Sequence, residues 1–156
     1  MTPVAEPLRM FGAATNHDRP DWGWVERQLI DAPTYWVVAH GGSYPHPRPV
    51  WGVWVDDRLH LSVGSAVVRC LLEADPAVTV HLDSGLDVVL VEGSVTGPTE
   101  DAALIDSYDR KYDWRYDVGQ YGPFTSVRPA RVLAWQAVGP AGRDGFQRSG
   151  RWRFDA

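Results

Sequence analysis

The stretch RPVWGVWVDDRLHLSVGSAVVRCLLEAD, residues 48–75, combines two strands, a sharp corner and a helix. Residues 49–55 are rich in Val and Trp, Asp56-Asp57 is a turn signal, and residues 59–63 alternate in polarity. This pattern predicts a β-hairpin, because β-branched and aromatic residues favour strands and a short polar pair favours the turn between them. Ser65 then suits the N-cap of the following helix, since its hydroxyl can accept a hydrogen bond from a free backbone N–H.

Gly52 lies inside the first strand of this hairpin, in the sequence WGVW. Side chains alternate along a strand, so Trp51 and Val53 face one side while Gly52 and Trp54 face the other. A glycine in a strand marks a bulge, a bend of a barrel, or the close approach of a ligand or another backbone. The residues alone leave these alternatives open.

Further strands and helices are predicted on both sides of this stretch. Trp22, Val25 and Leu29 lie on one face of a helix that ends before Pro33, and a longer helix is predicted over residues 99–114, with Thr99 as a candidate N-cap. The other strands are predicted in TYWVVAH, AVTVHLDS, VVLVEGSVTG, SVRPARVLAWQAV and RWRF. Roughly six or seven strands without βαβ alternation predict a mainly β protein, an antiparallel, closed or partly closed barrel with helices packed outside.

Composition indicates one domain. A chain of 156 residues with 44% hydrophobic residues can bury one sizeable core. Residues 1–18 are rich in Pro and Ala and are predicted to be a flexible arm, so the domain is assigned to residues 19–156.

Net charge and cysteine content limit the classes of binding partner and the cellular location to be expected. A net charge of −5 with scattered arginines argues against nucleic-acid binding, which needs clustered positive charge. Cys70 is the single cysteine, no signal-peptide pattern follows Met1, and the apolar runs are too short to cross a bilayer. We therefore expect a cytoplasmic protein without a membrane partner.

The corner at Gly64-Ser65 is the clearest candidate site. The backbone N–H groups of residues 66–68 lie at a helix start, where the helix dipole favours an anion, and Arg69 follows one turn later. A phosphate would suit this arrangement. In the alternative interpretation, Ser65 only caps the helix and Arg69 is a solvated surface residue.

Other kinds of site have little support. The histidines show no metal-binding spacing, and one cysteine offers too few soft ligands for structural zinc; they are His17, His40, His46, His60 and His81. No GxSxG motif surrounds a serine. The aromatic cluster Tyr108, Tyr112, Trp114 and Tyr116 is interpreted as core or interface packing rather than ligand stacking.

One resemblance extends over roughly residues 20–155. The run PRPVWGVWVDDRLHLSVGSAVVRCLLEADPAVTVHLDSGLDVVLVEGSV, a helix with KY and W, then FTSVRPARVLAW and RWRF, resembles the flavin/deazaflavin oxidoreductase family, relatives of pyridoxamine 5'-phosphate oxidase. The resemblance implies a split β-barrel that forms a homodimer with cofactor sites at the interface. Many actinobacterial members of that family use the deazaflavin F420, and others use FMN.

The resemblance also implies site residues. Those expected to bind the cofactor are Pro49, Val50, Trp51, Gly52, Ser62, Gly64, Ser65 and Arg69. Those expected on the substrate side or the wall of the pocket are Trp54, Trp114, Tyr116, Phe124, Arg128 and Trp135. The family's corner commonly has the pattern SxKxRNL, whereas this chain has Val67 in place of the lysine and Cys70 in place of the asparagine. Arg48 or Arg58 is then an alternative phosphate partner.

Three functions follow as hypotheses. The first is an F420-dependent oxidoreductase that transfers a hydride to or from a small unsaturated or otherwise activated substrate. The second is an FMN-dependent oxidase or reductase similar to pyridoxamine-phosphate oxidase. The third is a non-catalytic protein that binds a flavin, a haem or an apolar ligand. No side chain is a clear catalytic acid or base, since in such reactions the cofactor carries the chemistry.

Overall fold

Long antiparallel strands dominate the computed structural model, which describes residues 3–8 and 18–154. The strands in these segments are β1 (Val4–Pro7), β2 (Tyr35–Ala39), β3 (His46–Val55), β4 (Arg58–Ser62), β5 (Ala77–His81), β6 (Asp87–Thr99), β7 (Phe124–Ala137) and β8 (Phe146–Arg153). The helices are α1 (Trp22–Asp31), α2 (Ala66–Ala74), α3 (Ala102–Tyr112) and α4 (Val118–Tyr121), with a short 3₁₀ turn at Pro140–Gly142. The predicted hairpin, corner and helix over residues 48–75 are confirmed as β3, β4 and α2.

Six strands close into a barrel. Their order is β7-β4-β3-β2-β5-β6, and β6 pairs with β7 to complete the ring. All these pairings are antiparallel. The predicted mainly β, closed antiparallel barrel with helices outside is therefore confirmed.

Strand β7 is long enough to pair with three other strands. It pairs with β6 along nearly its whole length, while its other edge pairs first with β4 around Val127 and then with β8 from Arg131 onward. This divided edge lets β8 and β1 extend the sheet beyond the closed ring.

Two apolar cores position the elements. The larger fills the barrel and includes Val37, Leu61 and Trp54 together with the buried face of α1. The smaller lies outside the barrel, where Leu104 and Tyr108 of α3 pack against other buried residues. Helix α3 is thereby held against the outer face of β3.

One local prediction is wrong. Thr99 does not cap α3; Asp101 does, accepting a hydrogen bond from the Leu104 N–H at 3.1 Å. Thr99 instead ends β6, and its hydroxyl lies 2.7 Å from Ser126 Oγ. The pairing of β6 with β7 continues to Thr99, so the helix begins later than the local signal suggests.

The predicted arm is also partly ordered. Val4–Pro7 forms β1 and pairs with the free edge of β8. Glu6 forms ion pairs with Arg151 at 2.9 Å and Arg153 at 3.2 Å. The prediction missed this strand because the partner edge is formed at the opposite end of the chain. Residues 9–17 of the predicted arm, including His17, lie outside the described residues.

Within residues 3–8 and 18–154, none of the helices has the length and apolar character needed to cross a membrane.

Candidate functional site

A cleft of about 370 Å³ lies where β3, the start of α2 and the segment after α3 meet. Its walls are formed by Arg48, Pro49, Val50, Trp51, Ser62, Gly64, Ser65, Tyr108, Trp114, Tyr116 and Tyr121. Most of the predicted cofactor residues, and two of the predicted wall residues, thus share one cavity. Arg48, named from the sequence only as an alternative phosphate partner, lines it as well.

Aromatic rings form one wall of the cleft. The Trp51 ring is 42% exposed and lies almost parallel to the Tyr112 ring, with centroids 4.5 Å apart. Trp114 meets Trp51 edge-on at 5.8 Å. A flat ring system could bind against this wall, because aromatic faces favour offset or edge-on contact with other rings.

Hydroxyl groups form the floor. Tyr116 Oη donates to the Gly122 carbonyl at 2.9 Å and lies 3.3 Å from Ser62 Oγ. Because the Tyr116 hydroxyl donates its proton to the Gly122 carbonyl, its oxygen can only accept a hydrogen bond from Ser62. The Ser62 hydroxyl therefore donates to Tyr116, and its oxygen can still accept a hydrogen bond from a ligand in the cleft. Burial raises the pKa of both Tyr108 and Tyr116, so both phenols stay neutral at physiological pH.

The corner before α2 forms the polar end of the cleft. Ser65 caps the helix as predicted, with its Oγ accepting from the Val68 N–H at 3.4 Å. The N–H groups of Ala66 and Val67 have no intrahelical acceptor, as is usual in the first turn. The Val67 side chain is 56% exposed beside them. Backbone donors are therefore present at this end of the cleft, which Arg48 also lines.

Comparisons with known proteins bear on the fold. No family model matches the chain, and no curated protein matches it. Solved structures match. An F420 reductase has a TM-score of 0.56 and 17% identity over 72% of this chain and 97% of its own. A FAD-binding protein from Mesorhizobium loti has a TM-score of 0.59 and 14% identity, covering 88% of this chain and 98% of its own. A conserved hypothetical protein from Mycobacterium tuberculosis has a TM-score of 0.63 and 17% identity, covering 81% of this chain and 96% of its own.

The protein has the split β-barrel fold. At these identities the likeness concerns the fold, and function must be argued from the site.

Gly52 does not line the cleft of the split barrel. A Cβ on Gly52 would lie 2.7 Å from the backbone oxygen of His60 and 2.7 Å from Leu61 Cδ2. Among the alternatives that the sequence leaves open, the close approach of another backbone, strand β4, is therefore the one observed.

Arg69 also lies outside the cleft. Its Nη1 donates to the Val63 carbonyl at 3.4 Å, and its side chain lines a second cavity of about 530 Å³ with Leu72 and Phe124. The guanidinium thus remains beside the corner, bonded to the carbonyl of the residue before Gly64, but it lines the second cavity rather than the cleft.

Only some of the residues expected on the substrate side or the wall of the pocket line the cleft. Trp114 and Tyr116 line the cleft, whereas Trp54 is buried inside the barrel, where it packs on Trp22 at 6.3 Å. Trp51 and Trp54 are three residues apart on one strand, so they face opposite sides of it.

The other predicted wall residues lie away from the cavity. Phe124 is fully buried and stacks on Tyr116 at 4.4 Å, supporting the cleft from behind. Arg128 is exposed on β7, and Trp135 packs edge-on against Phe146 at the far end of that strand.

Two lining residues were not assigned to the site from the sequence. Tyr108 was interpreted as packing, which is half correct because it is buried and also lines the cleft. Nothing in the sequence around Tyr121 indicated a place in the site, because the short helix α4 is what positions this residue at the cleft.

No trio of His, Cys, Asp or Glu within the described segments is arranged to hold a metal ion. His60 is buried and bonded to Ser126 Oγ at 2.8 Å, and burial lowers its pKa.

Proposed function

We propose that the protein is an oxidoreductase that binds the deazaflavin F420 and transfers a hydride between it and a small unsaturated or otherwise activated organic substrate. The observation that supports this most is the cleft itself, which joins a flat aromatic wall to a corner of backbone donors. The split barrel adds support, since an F420 reductase is among the structures with this fold.

The residues present fit such a cofactor. The exposed face of Trp51 and the edge of Trp114 offer a surface for a fused ring. The free N–H groups of Ala66 and Val67 suit the cofactor's phosphate, because donors at a helix N-terminus favour anions. Arg48 adds one permanent positive charge at the rim.

In the proposed reaction the bound deazaflavin supplies or accepts the hydride. The chain contributes the orientation of the ring and a partly dry site. Trp51 and Trp114 fix the plane of the ring. Holding the ring and the substrate in a fixed relative orientation raises the rate of the reaction. Tyr116, whose pKa is raised by burial, keeps its proton on the Gly122 carbonyl and accepts from Ser62, which leaves the Ser62 oxygen as an acceptor toward the cleft.

The proposal includes a homodimer. The cleft of about 370 Å³ is near the lower limit for a ligand pocket, and Trp51, Trp114 and Val67 are exposed around it. Exposed apolar side chains grouped at a cavity mark an interaction surface. A second copy of the chain covering these residues would enlarge and close the site.

A second candidate is a flavin-binding protein without turnover. Among the described residues, Arg48 is the one charged residue that lines the cleft, and a hydrophobic residue, Val67, occupies the corner. This weakens phosphate anchoring without removing the ring wall.

The test is a titration of the purified protein with F420 and, in parallel, with FMN, following tryptophan emission. We expect saturable quenching by F420 with a Kd of about 10 μM, which corresponds to roughly 7 kcal/mol of binding free energy. Trp51→Phe controls for the other tryptophans and should lose most of the signal change. Reduced F420 is then mixed with unsaturated ketones and esters.

Each outcome decides between the candidates. Binding of F420 with oxidation of its reduced form by a substrate supports the proposal. Binding without turnover favours the second candidate, the flavin-binding protein without turnover. Tight binding of FMN alone favours an FMN-dependent enzyme. The absence of quenching by both F420 and FMN contradicts all three of these functions.

Replacing Val67 by lysine should tighten the binding of phosphate-bearing cofactors about tenfold. The new ammonium would lie beside the free N–H groups of the first turn, and a hydrogen bond to a charged group contributes about 1.5–3 kcal/mol. Calorimetric titration with FMN measures the gain. Val67→Met, of similar length without charge, is the matched control, and riboflavin, which lacks the phosphate, should bind both variants equally. Equal FMN affinity in the two variants would show that the corner does not face a phosphate.

A further inference from the structure

The edge of β3 next to the cleft has no strand beside it among the described parts of the chain. Strand β2 begins at Tyr35, which pairs with Val50, so the residues of β3 after Val50 extend beyond it. The peptide groups of Gly52 on this edge are bonded by side chains of α3 instead. Gly52 N–H donates to Tyr112 Oη at 3.0 Å, and the Gly52 carbonyl accepts from Lys111 Nζ at 3.0 Å.

Lys111 is the single lysine of the chain and is held on several sides. Its Nζ donates to Tyr35 Oη at 2.8 Å and lies 4.7 Å from the centre of the Tyr35 ring and 5.2 Å from that of Tyr112. Tyr35 in turn donates to the Leu29 carbonyl of α1. One ammonium group therefore connects α1, β2, β3 and α3.

This network ends at the wall of the cleft. Gly52 is the chain neighbour of Trp51, and Tyr112 is the ring on which Trp51 stacks. Lys111 thus bonds the carbonyl of Gly52, the residue after Trp51, and lies over the Tyr112 ring on which Trp51 stacks, without lining the cleft itself.

We propose that Lys111 is a positioning residue, whose ammonium group fixes the Gly52 carbonyl and the Tyr112 ring and thereby sets the orientation of Trp51 in the cleft. The effect on cofactor affinity rests on the proposed function; the effect on Trp51 does not.

The site also makes this orientation sensitive to pH. Desolvation lowers the pKa of Lys111 to about 8, opposed by the carboxylate of Asp31 at the end of α1. The other groups facing it are the phenols of Tyr35 and Tyr112, whose pKa values are raised by burial, and Arg110, which lines the same outer cavity. Above about pH 8 the amine becomes neutral, and its hydrogen bonds lose the strength that charge gives them.

The test uses the protein without cofactor. Near-ultraviolet circular dichroism and tryptophan emission are recorded between about pH 6 and 10 for the wild type, Lys111→Met and Lys111→Arg. We expect a wild-type transition with its midpoint near pH 8 that is absent from both variants, because neither titrates at this position. Any other group that titrates in this range does so in all three proteins and cancels in the comparison. Trp51→Phe should remove the transition from the emission signal.

Affinity is the second readout. At pH 7, Lys111→Met should bind FMN or F420 about tenfold more weakly, with Lys111→Arg retaining most of the wild-type affinity. Should Lys111→Met not fold, the pH titrations of wild type and Lys111→Arg still decide the question. A transition that follows Lys111 in a protein that binds neither cofactor would leave the positioning role standing and overturn the proposed function. A transition unchanged in Lys111→Arg, or lacking in the wild type, would overturn the positioning role.

Discussion

Replacing Gly52 by alanine is expected to lower the free energy of unfolding by about 3 kcal/mol, the size typical of overpacking a filled core. The added Cβ would lie 2.7 Å from His60 O and 2.7 Å from Leu61 Cδ2. Leu61 is fully buried and has little room to turn. The His60 oxygen belongs to the backbone of β4 and cannot move without disturbing the pairing of β3 with β4. Urea denaturation followed by circular dichroism measures the loss.

Gly64→Ala is the matched control. A Cβ at Gly64 meets no atom within 4 Å, and its backbone is not left-handed. We expect a change within about 0.5 kcal/mol, as for ordinary surface substitutions. If the two variants were equally stable, the close approach of β4 would not be the reason for glycine at position 52.

The elements that could be predicted are those with local causes. The hairpin over β3 and β4 follows from alternation and a turn pair, and the start of α2 follows from the hydroxyl of Ser65. Strand β1 could not be predicted, because Val4–Pro7 is stabilised by a strand that ends at Arg153, at the other end of the chain. Such pairing depends on the assembled barrel.

The site divides in the same way. Residues 49–51, Ser62, Gly64 and Ser65 line the cleft because neighbouring strands and the corner place them there together. The direction of the Arg69 side chain depends on how α2 packs, so the sequence placed Arg69 beside the corner but could not show which cavity its guanidinium lines. Tyr108 and Lys111 come from α3, whose docking against β3 is a tertiary event. Local signals thus located the corner and the existence of α3, but not the docking of α3 that supports the wall of the cleft.

Trp51 is the residue whose loss should weaken the site most. Its ring is exposed at the cleft and stacks on Tyr112, so truncation removes the surface on which a cofactor ring would lie. Stacking and apolar contact of one aromatic ring contribute about 1.5–3 kcal/mol, which corresponds to a loss of affinity of roughly tenfold to a hundredfold. Because Trp51 is not part of the buried core, the stability of the fold should change far less than with Gly52→Ala.

We therefore expect Trp51→Ala to bind F420 or FMN ten to a hundred times more weakly, by rough conversion of that contact energy, while unfolding at nearly the wild-type urea concentration. Calorimetry is the appropriate measurement, since the variant lacks the fluorescent reporter. Trp135→Ala is the matched control: it removes a tryptophan that packs on Phe146 away from the cleft, and affinity should stay at the wild-type value. Trp51→Phe should retain part of the affinity, because a smaller ring still offers an aromatic face. Equal weakening by Trp51→Ala and Trp135→Ala would mean that the cleft is not where the ring binds, since only one of these side chains lines it.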